Sequence, residues 1–177
     1  MSEPKRRHPL VVNLDELEAK ASAVGERFAY AWKGLGAAVA SQGIGCSYFE
    51  QPPGKTAFPR HWHGANEEAL FFLEGEGTVH LGAERVAVRA GDWVSFPVGP
   101  EHAHMTVNTG KGPLRYLALS TLKTPEVVGY PDSNKLGASA APSIDAARAG
   151  QPWLRKLFVA SDGVDYYKGE RVDGSDT

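Results

Sequence analysis

The stretch that decides the fold is residues 54–75, which read GKTAFPRHWHGANEEALFFLEG. At its centre is a His-x-His pair, His61 and His63, separated by Trp62. In a β-strand, residues i and i+2 point to the same face, so both imidazoles can face one interior while Trp62 faces the other way. Imidazole binds several divalent transition metals. We therefore interpret the pair as two metal ligands on one strand.

Two glutamates, Glu67 and Glu68, follow this pair and precede the apolar segment 69–73. A buried carboxylate without a partner is energetically unfavourable, and a bound cation removes that penalty. A carboxylate beside imidazoles also favours borderline or harder metal ions over copper(I). The spacing alone leaves both glutamates as candidates for the next ligand.

A second His-x-His pair, His102 and His104, lies further along the chain. With six histidines in 177 residues, roughly 0.2 such pairs are expected by chance, so two pairs are unusual. The other two histidines, His8 and His80, are typical of surface or hydrogen-bonded positions. Cys46, the only cysteine, is typical of a small core residue. A single cysteine excludes an intramolecular disulfide, which favours a reducing, cytoplasmic location.

Turn-forming residues divide the surrounding sequence into pieces of strand length. The chain has 20 Gly and 12 Pro among its 177 residues, a larger share than the roughly 12% that is average. Seven β-rich segments lie between the turns: 44–49, 68–73, 78–81, 85–89, 93–96, 105–108 and 114–121. Short strands at this spacing predict an all-β fold, either an antiparallel barrel or a double sheet.

Two segments flank these strands. Apolar residues recur at helical spacing over 14–28, with Asn13 as a candidate cap, and predict one short N-terminal helix. The C-terminal third is looser but rich in apolar side chains, so we expect it to wrap the barrel or to pack on a partner subunit. The predicted division is an N-terminal extension (1–34), a central β-domain (35–121) and a C-terminal extension (122–177).

Charge and hydropathy argue against two classes of partner. The net charge is −2, with 19 Lys and Arg against 21 Asp and Glu. No overall field attracts a polyanion, so we expect no nucleic acid partner. No window approaches the roughly 18 consecutive apolar residues of a membrane helix, so we expect no membrane partner either.

Residues 54–75 resemble the first conserved motif of the cupins, which consists of a glycine, a His-x-His pair, a glutamate and a glycine seven residues later. Counting back seven residues from Gly75 gives Glu68 as the carried-over carboxylate. Gly54 lies one residue further from His61 than the motif has. That difference changes a loop length but not the spacing of the ligands.

The segment 91–108, GDWVSFPVGPEHAHMTVN, resembles the second cupin motif. Counting forward from Gly99 selects His102 as the ligand, whereas counting back from Asn108 selects His104. We favour His104 because the residues after it are typical of a strand. His102 is then expected nearby, at the pocket mouth.

The resemblance implies a single cupin barrel, that is, a double-stranded β-helix or jelly roll, and commonly a homodimer. It also implies one divalent transition metal, Zn, Mn, Fe or Ni, held by four side chains: His61, His63, Glu68 and His104. The tail segments 115–121, 130–135 and 164–170 are similar to those of small single-domain bacterial cupins, some of which are described as sugar-phosphate isomerases.

Three hypotheses about function stay open. The first is an isomerase that acts on a small sugar-like or carbonyl-bearing molecule, with Arg60 and Lys55 as candidate phosphate ligands. The second is a metal-dependent dioxygenase with an apolar pocket, for which the available side chains are Tyr48, Phe71 or Phe72, and Met105. The third is a non-catalytic small-ligand binding or sensor module, because no second inward carboxylate or lysine stands out in the sequence.

Overall fold

The structure is a computed structural model that describes residues 7–171; residues 1–6 and 172–177 of the predicted extensions lie outside the described residues. Within the described residues the strands are β1 (Lys20–Val24), β2 (Phe28–Gly34), β3 (Ile44–Gln51), β4 (Trp62–His63), β5 (Glu68–Glu74), β6 (Glu76–Leu81), β7 (Glu84–Arg89), β8 (Trp93–Phe96), β9 (His104–Val107), β10 (Leu114–Thr121), β11 (Glu126–Tyr130), β12 (Lys135–Ala140) and β13 (Leu154–Val159). This part of the chain also contains two short α-helices, α1 (Leu35–Ala38) and α2 (Ile144–Arg148). Single 3-10 turns lie at Leu14–Glu16, Pro100–His102 and Pro131–Ser133.

The strands form two layers. The first layer is a six-stranded antiparallel sheet in the order β1-β2-β3-β10-β5-β8. The second layer consists of a three-stranded sheet, β7-β6-β9, and a four-stranded sheet, β13-β12-β11-β4. An antiparallel bridge between His61 and His104 joins these two sheets. Buried side chains from both layers meet in one core, which contains Phe49, Leu70, Phe72, Val79, Val88, Phe96, Leu114 and Tyr116.

The predicted all-β jelly roll is confirmed. Each of the seven segments with strand-like sequence is a strand in the structure, and their ends differ from the prediction by at most two residues. Gly and Pro at the segment ends supply the reversals, while alternation of apolar and polar residues places one face of each strand in the core.

The helix predicted over 14–28 is wrong. Only Leu14–Glu16 forms a helical turn, and β1 and β2 then make a hairpin whose turn contains Gly25 at φ +56, a conformation that favours glycine. β2 continues the six-stranded sheet by pairing with β3, so that Trp32 lies opposite Phe49. Pairing and side-chain packing in the sheet outweigh a weak helical periodicity. The division of the chain at residues 34 and 121 stays a prediction.

The C-terminal strands pack beside the histidines. β11 pairs with β4, so that Val128 lies opposite His63 and Gly129 lies opposite Trp62. A Cβ atom at Gly129 would lie 2.1 Å from Trp62 Cε2, so glycine is required for this close approach. Neighbouring residues of a strand point to opposite faces. Packing of Trp62 against β11 therefore turns His63 toward the other face of β4.

No helix within residues 7–171 is both long and apolar enough to span a membrane.

Candidate metal centre

Backbone pairing brings the first and second His-x-His segments together. His61, just before β4, donates its amide to the His104 carbonyl at 3.0 Å, and the His104 amide donates to the His61 carbonyl at 2.8 Å. Glu68 opens β5 in the opposite layer, where it pairs with Ser120 of β10 and Phe96 of β8. The two layers of the jelly roll thus place imidazoles on one side and a carboxylate on the other.

Three imidazole nitrogens converge on one carboxylate oxygen. Glu68 Oε2 lies 3.2 Å from His104 Nε2, 3.3 Å from His63 Nε2 and 3.9 Å from His61 Nε2. The ligand atoms of His61, Glu68 and His104 all lie within 4.8 Å of one another. The structure therefore brings together the four side chains predicted as metal ligands, and it places Glu68, rather than Glu67, among the histidines.

The hydrogen bonds of the rings indicate which nitrogens are free to bind a cation. His61 Nδ1 lies 2.8 Å from the Pro59 carbonyl oxygen, and His104 Nδ1 lies 3.1 Å from the His102 carbonyl oxygen. A carbonyl oxygen can only accept a hydrogen bond, so in the neutral rings Nδ1 carries the hydrogen and Nε2 carries the lone pair. Both lone pairs then point at an oxygen of Glu68, which is itself an acceptor.

Such an arrangement of acceptors is unfavourable unless a cation or a proton lies among them. In addition, both ring nitrogens of His63 are buried without a hydrogen-bond partner. Three imidazoles and one carboxylate are a donor set that suits divalent transition metals. The four side chains consequently fit the metal that the sequence predicted.

The protonation states of His61 and Glu68 also suit a metal. Burial lowers the pKa of His61 to about 4, and the neighbouring His104 adds to this effect. Burial alone would lower the pKa of His63, but the carboxylates of Glu68 and Glu126 outweigh it and raise that pKa. Burial alone would raise the pKa of Glu68, but contacts with His104 and His63 hold it well below its usual range. Near neutral pH, His61 is a neutral imidazole and Glu68 an ionised carboxylate, as metal binding requires.

A second buried carboxylate, Glu126, lies behind His63. Its Oε2 atom is 3.6 Å from His63 Nδ1, the ring nitrogen that faces away from Glu68. Glu126 also accepts hydrogen bonds from the backbone amides of Gly64, Ala65, Asn66 and Val127 and from the Asn66 side chain. A carboxylate behind a metal-binding histidine fixes the orientation of the ring and strengthens it as a ligand.

The sequence reasoning missed Glu126. It opens the apolar pair Val127-Val128, which is the same signal that drew attention to Glu68 before residues 69–73. No second inward carboxylate stands out in the sequence, and Glu126, although buried beside His63, does not line the cavity.

The four predicted ligands line a cavity of about 470 Å³, a size typical of small-molecule sites. The Phe96 ring stacks on His104 with centroids 3.8 Å apart, and the Tyr130 ring lies 6.1 Å from that of His61. Apolar side chains make up most of the remaining wall, among them Phe49, Phe58, Leu70, Leu119 and Leu122. The cavity thus combines a polar cluster that binds a cation with a largely apolar surround.

The other predicted pocket residues have mixed outcomes. Met105 borders the cavity. His102 does not, since its side chain points outward, 3.6 Å from Glu101 Oε1, and only its carbonyl contributes by orienting His104. Tyr48 and Phe72 do not border it either. The Tyr48 hydroxyl is on the outer face beside Glu50, because Phe49 takes the inward position of β3, and Phe72 is fully buried in the core.

The two cationic side chains considered as phosphate ligands, Arg60 and Lys55, lie away from the cavity. Arg60 binds Asp132 at 3.1 Å and the Gly82 carbonyl at 2.9 Å, because strand alternation sends it away from His61. Lys55 donates to the Glu26 carbonyl at 2.5 Å on the surface. Among the described residues, the cation that does border the cavity is Arg148 of α2, which the sequence reasoning missed, as it missed Tyr130. Both lie in the C-terminal third, far in sequence from the His-x-His motifs.

Comparison with known proteins agrees with the fold and motifs. Residues 47–120 match the model of the Cupin domain family. An uncharacterized protein of Methanocaldococcus jannaschii is 37% identical over 60 residues, which are 34% of this chain and 46% of that protein. The chain thus spans about half the length of the curated relative that it matches.

Two solved structures illustrate the similarity. One is a protein of Acidithiobacillus ferrooxidans provisionally named a sugar phosphate isomerase, with a TM-score of 0.74 and 23% identity over 89% of this chain and 96% of that one. The other is a predicted oxalate decarboxylase of Thermotoga maritima, with a TM-score of 0.56 and 26% identity over 64% of this chain and 99% of that one. Two cupin motifs, a jelly-roll fold and the family match agree that residues 47–120 form a cupin domain.

Proposed function

We propose that the protein binds one divalent transition metal through His61, His63, Glu68 and His104 and uses it to bind and transform a small molecule that carries a carbonyl or hydroxyl oxygen. The observation that carries the proposal is the convergence of three imidazole Nε2 atoms on Glu68 Oε2 at the wall of a cavity of about 470 Å³. Around a five- or six-coordinate ion, four protein ligands would leave room for an oxygen atom of the ligand.

The metal would supply polarisation of a bound oxygen atom and a lower pKa for bound water. The side chains of this protein do the rest. Glu68 brings one negative charge to the cation, and the Phe96 ring holds His104 in place by stacking. Apolar side chains of the wall, such as Leu70 and Leu119, exclude water from the ligand. Low solvent content strengthens each polar contact that the ligand makes.

Isomerisation of a small sugar-like or carbonyl-bearing molecule is the reaction we favour. Its support is the fold shared with the Acidithiobacillus ferrooxidans protein named for that activity, together with the hydroxyl groups of Ser47, Ser120 and Tyr130 on the cavity wall. Such side chains suit the hydroxyl groups of a polyol or sugar.

A metal-dependent dioxygenase is the second candidate. Among the cavity-lining residues of the described chain, Glu68 is the only carboxylate and there is no lysine, so few groups are available as a general base. Apolar walls suit oxygen chemistry, which requires a redox-active metal. A non-catalytic binding module would share the same metal and walls without turnover.

The metal content of the purified protein, read with ligand and oxygen assays, tests the proposal. We expect about one metal per chain, a higher melting temperature with sugar phosphates, and their isomerisation. Iron with substrate-dependent oxygen uptake would favour the dioxygenase, and ligand binding without turnover would favour the binding module. His80→Ala is the matched control for His61→Ala, because His80 does not border the cavity. Full metal content in His61→Ala would overturn the metal site.

We also propose that the protein is a homodimer assembled through its C-terminal strand. All six residues of β13 are exposed, and within residues 7–171 β13 is an edge strand that pairs only with β12. Leu157 is 62% exposed and Phe158 47% exposed, and these neighbours point to opposite faces of the strand. An edge strand with apolar side chains on both faces is a preferred site of association. A second copy of the chain is the partner we propose for it, in the reducing cytoplasm that a single cysteine favours.

A further inference from the structure

The C-terminal helix α2 supplies a positive charge to the cavity. Arg148, the last residue of α2, is the only lysine or arginine among the residues of the described chain that border the cavity. Its side chain is 27% exposed. Glu68, on the same cavity, is the only carboxylate there.

Two contacts hold α2 beside the cavity. Arg148 Nη2 donates to the Ser41 carbonyl at 2.5 Å, and Gln42 Nε2 donates to Asp145 Oδ1 at 3.1 Å. Ser41 and Gln42, which make these two contacts with α2, lie in the turn that precedes β3. The guanidinium is therefore fixed at the start of β3, and the remaining N–H groups of Arg148 are available to a ligand.

The charge of Arg148 is only weakly compensated by protein. Its nearest carboxylate is Asp145, with Nη1 to Oδ1 at 3.6 Å, and the Asp145 side chain is 69% exposed. Ion pairs with an exposed partner are screened by water and contribute little. Asp145 does not border the cavity, so an anion inside the cavity would not meet a competing carboxylate at this end.

Strand register places Arg148 away from the metal ligands. Glu68 pairs with Ser120, and Ser120 pairs with Gly45 on the next strand. Adjacent strands are roughly 5 Å apart, so the backbones of Glu68 and Gly45 are on the order of 10 Å apart. Arg148 is anchored to Ser41, before Gly45 in the chain. The cavity therefore has a metal-binding region and a separate cationic region.

We propose that the ligand of this cavity is an anion, with an oxygen donor at one end for the metal and a carboxylate or phosphate at the other end for Arg148. This inference rests on the proposed function, since the metal fixes the first end. Arginine binds carboxylates and phosphates through two parallel N–H donors. After Glu68 neutralises part of the charge of a divalent ion, positive charge remains at both ends of the cavity, and such an anion compensates it. Arg148 would then determine specificity and take no part in holding the metal.

Matched hydroxamates test the inference on the metal-loaded protein. A hydroxamate group binds transition metals, so it holds one end of each probe at the metal. The probes are straight-chain hydroxamates of several chain lengths. The other end of each probe is a carboxylate, a phosphate or an uncharged methyl ester, which reports on the far end of the cavity. Affinities are measured by calorimetry. We expect the best charged probe to bind wild type roughly 10- to 100-fold more tightly than its ester. Comparison of the carboxylate and phosphate series identifies which anion is preferred.

Variants assign the effect to Arg148. Arg148→Met is expected to abolish the preference for the charged probes and to leave ester binding and metal content unchanged, and Arg148→Lys to retain part of the preference. Arg89→Met removes an exposed arginine that does not border the cavity and should keep the preference.

The outcomes separate this inference from the proposed function. If charged probes and esters bind wild type equally, or if Arg148→Met keeps the preference, the role of Arg148 is overturned while the metal site stands. If no hydroxamate binds the metal-loaded protein, the proposed function fails, and the anionic ligand fails with it.

Discussion

Glu126 lies directly behind His63, with 3.6 Å between Glu126 Oε2 and His63 Nδ1. His63 Nε2 is on the other side of the ring and faces Glu68 at 3.3 Å. The imidazole is therefore held between two carboxylates, of which one is among the proposed metal ligands and the other lies outside the cavity. The position of Glu126 predicts that its carboxylate affects the affinity of the protein for the metal.

The first prediction is that Glu126→Gln weakens metal binding by about 10- to 100-fold, because the loss of negative charge behind a ligand makes His63 a weaker donor. Chelator competition measures the affinity, and the absorption spectrum of the cobalt-loaded protein reports changes at the metal itself. Glu67→Gln is the control, since Glu67 lies next to Glu68 but does not border the cavity. An unchanged affinity and an unchanged cobalt spectrum in Glu126→Gln would show that Glu126 only organises the backbone of residues 64–66.

The second prediction concerns the pH dependence of the metal-free protein. His61 has a folded-state pKa of about 4 against an ordinary value of 6.5, so between these values the unfolded chain binds a proton that the folded chain does not. Stability from this residue therefore falls as the pH is lowered from 6.5 to 4, by up to roughly 3 kcal/mol. Urea unfolding in the presence of a chelator measures the change.

His61→Gln provides the comparison for this pH effect. We expect the slope of unfolding free energy against pH in this window to be smaller in the variant than in wild type. The raised pKa of His63 contributes stability that is lost as the pH rises above 6.5. The lowered pKa of Glu68 contributes stability that is lost as the pH falls below 4.5. Equal slopes for wild type and His61→Gln would contradict the assignment of this pH dependence to His61.

The third prediction is that Gly129→Ala destabilises the protein by about 1–3 kcal/mol, because the added methyl group overlaps the Trp62 ring and overpacking has an effect of this size. Displacement of Trp62 should also weaken metal binding through the adjacent His63. Trp62→Leu combined with Gly129→Ala makes room for the added methyl group and should restore part of the stability and part of the metal affinity. Gly163→Ala, at a position with no atom near an added Cβ, is the control. A fully stable Gly129→Ala would be evidence against the close approach of β11 to β4.

The fourth prediction tests the proposed dimer. Wild type should have twice the 19.0 kDa chain mass by light scattering, whereas a double variant, Leu157→Lys with Phe158→Lys, should have the mass of one chain. Both side chains are exposed in the single chain, so the substitutions should not unfold it. Val86→Lys, at an exposed apolar position of β7, should remain dimeric. A monomeric wild type would end the dimer proposal.

Local sequence patterns were enough to predict the central strands and two of the converging side chains, His61 and His63, whereas the choice of Glu68 and His104 rests on the resemblance to the cupin motifs. Gly and Pro mark the turns, and the i, i+2 spacing of His61 and His63 puts both rings on one face of a strand. Strand alternation also explains two errors. Tyr48 is outward because Phe49 is inward, and Phe72 shares the inward face with Glu68 but lies deeper, in the core.

Long-range pairing accounts for what the sequence could not predict. Glu126 reaches His63 only because β11 pairs with β4 across about sixty residues of chain, and no local periodicity encodes that pairing. Arg148 reaches the cavity through a contact with Ser41. The wrong N-terminal helix has the same origin, because the pairing of β2 with β3 decides the structure of that segment.

The most direct test of the metal centre compares His104→Ala with His102→Ala. The two histidines belong to one His-x-His pair, but only His104 faces Glu68, with Nε2 to Oε2 at 3.2 Å, while His102 points outward. Metal equivalents per chain are measured by elemental analysis after loading and dialysis. We predict about one equivalent for wild type and His102→Ala and a large loss for His104→Ala; retention of the full equivalent by a folded His104→Ala would contradict the site.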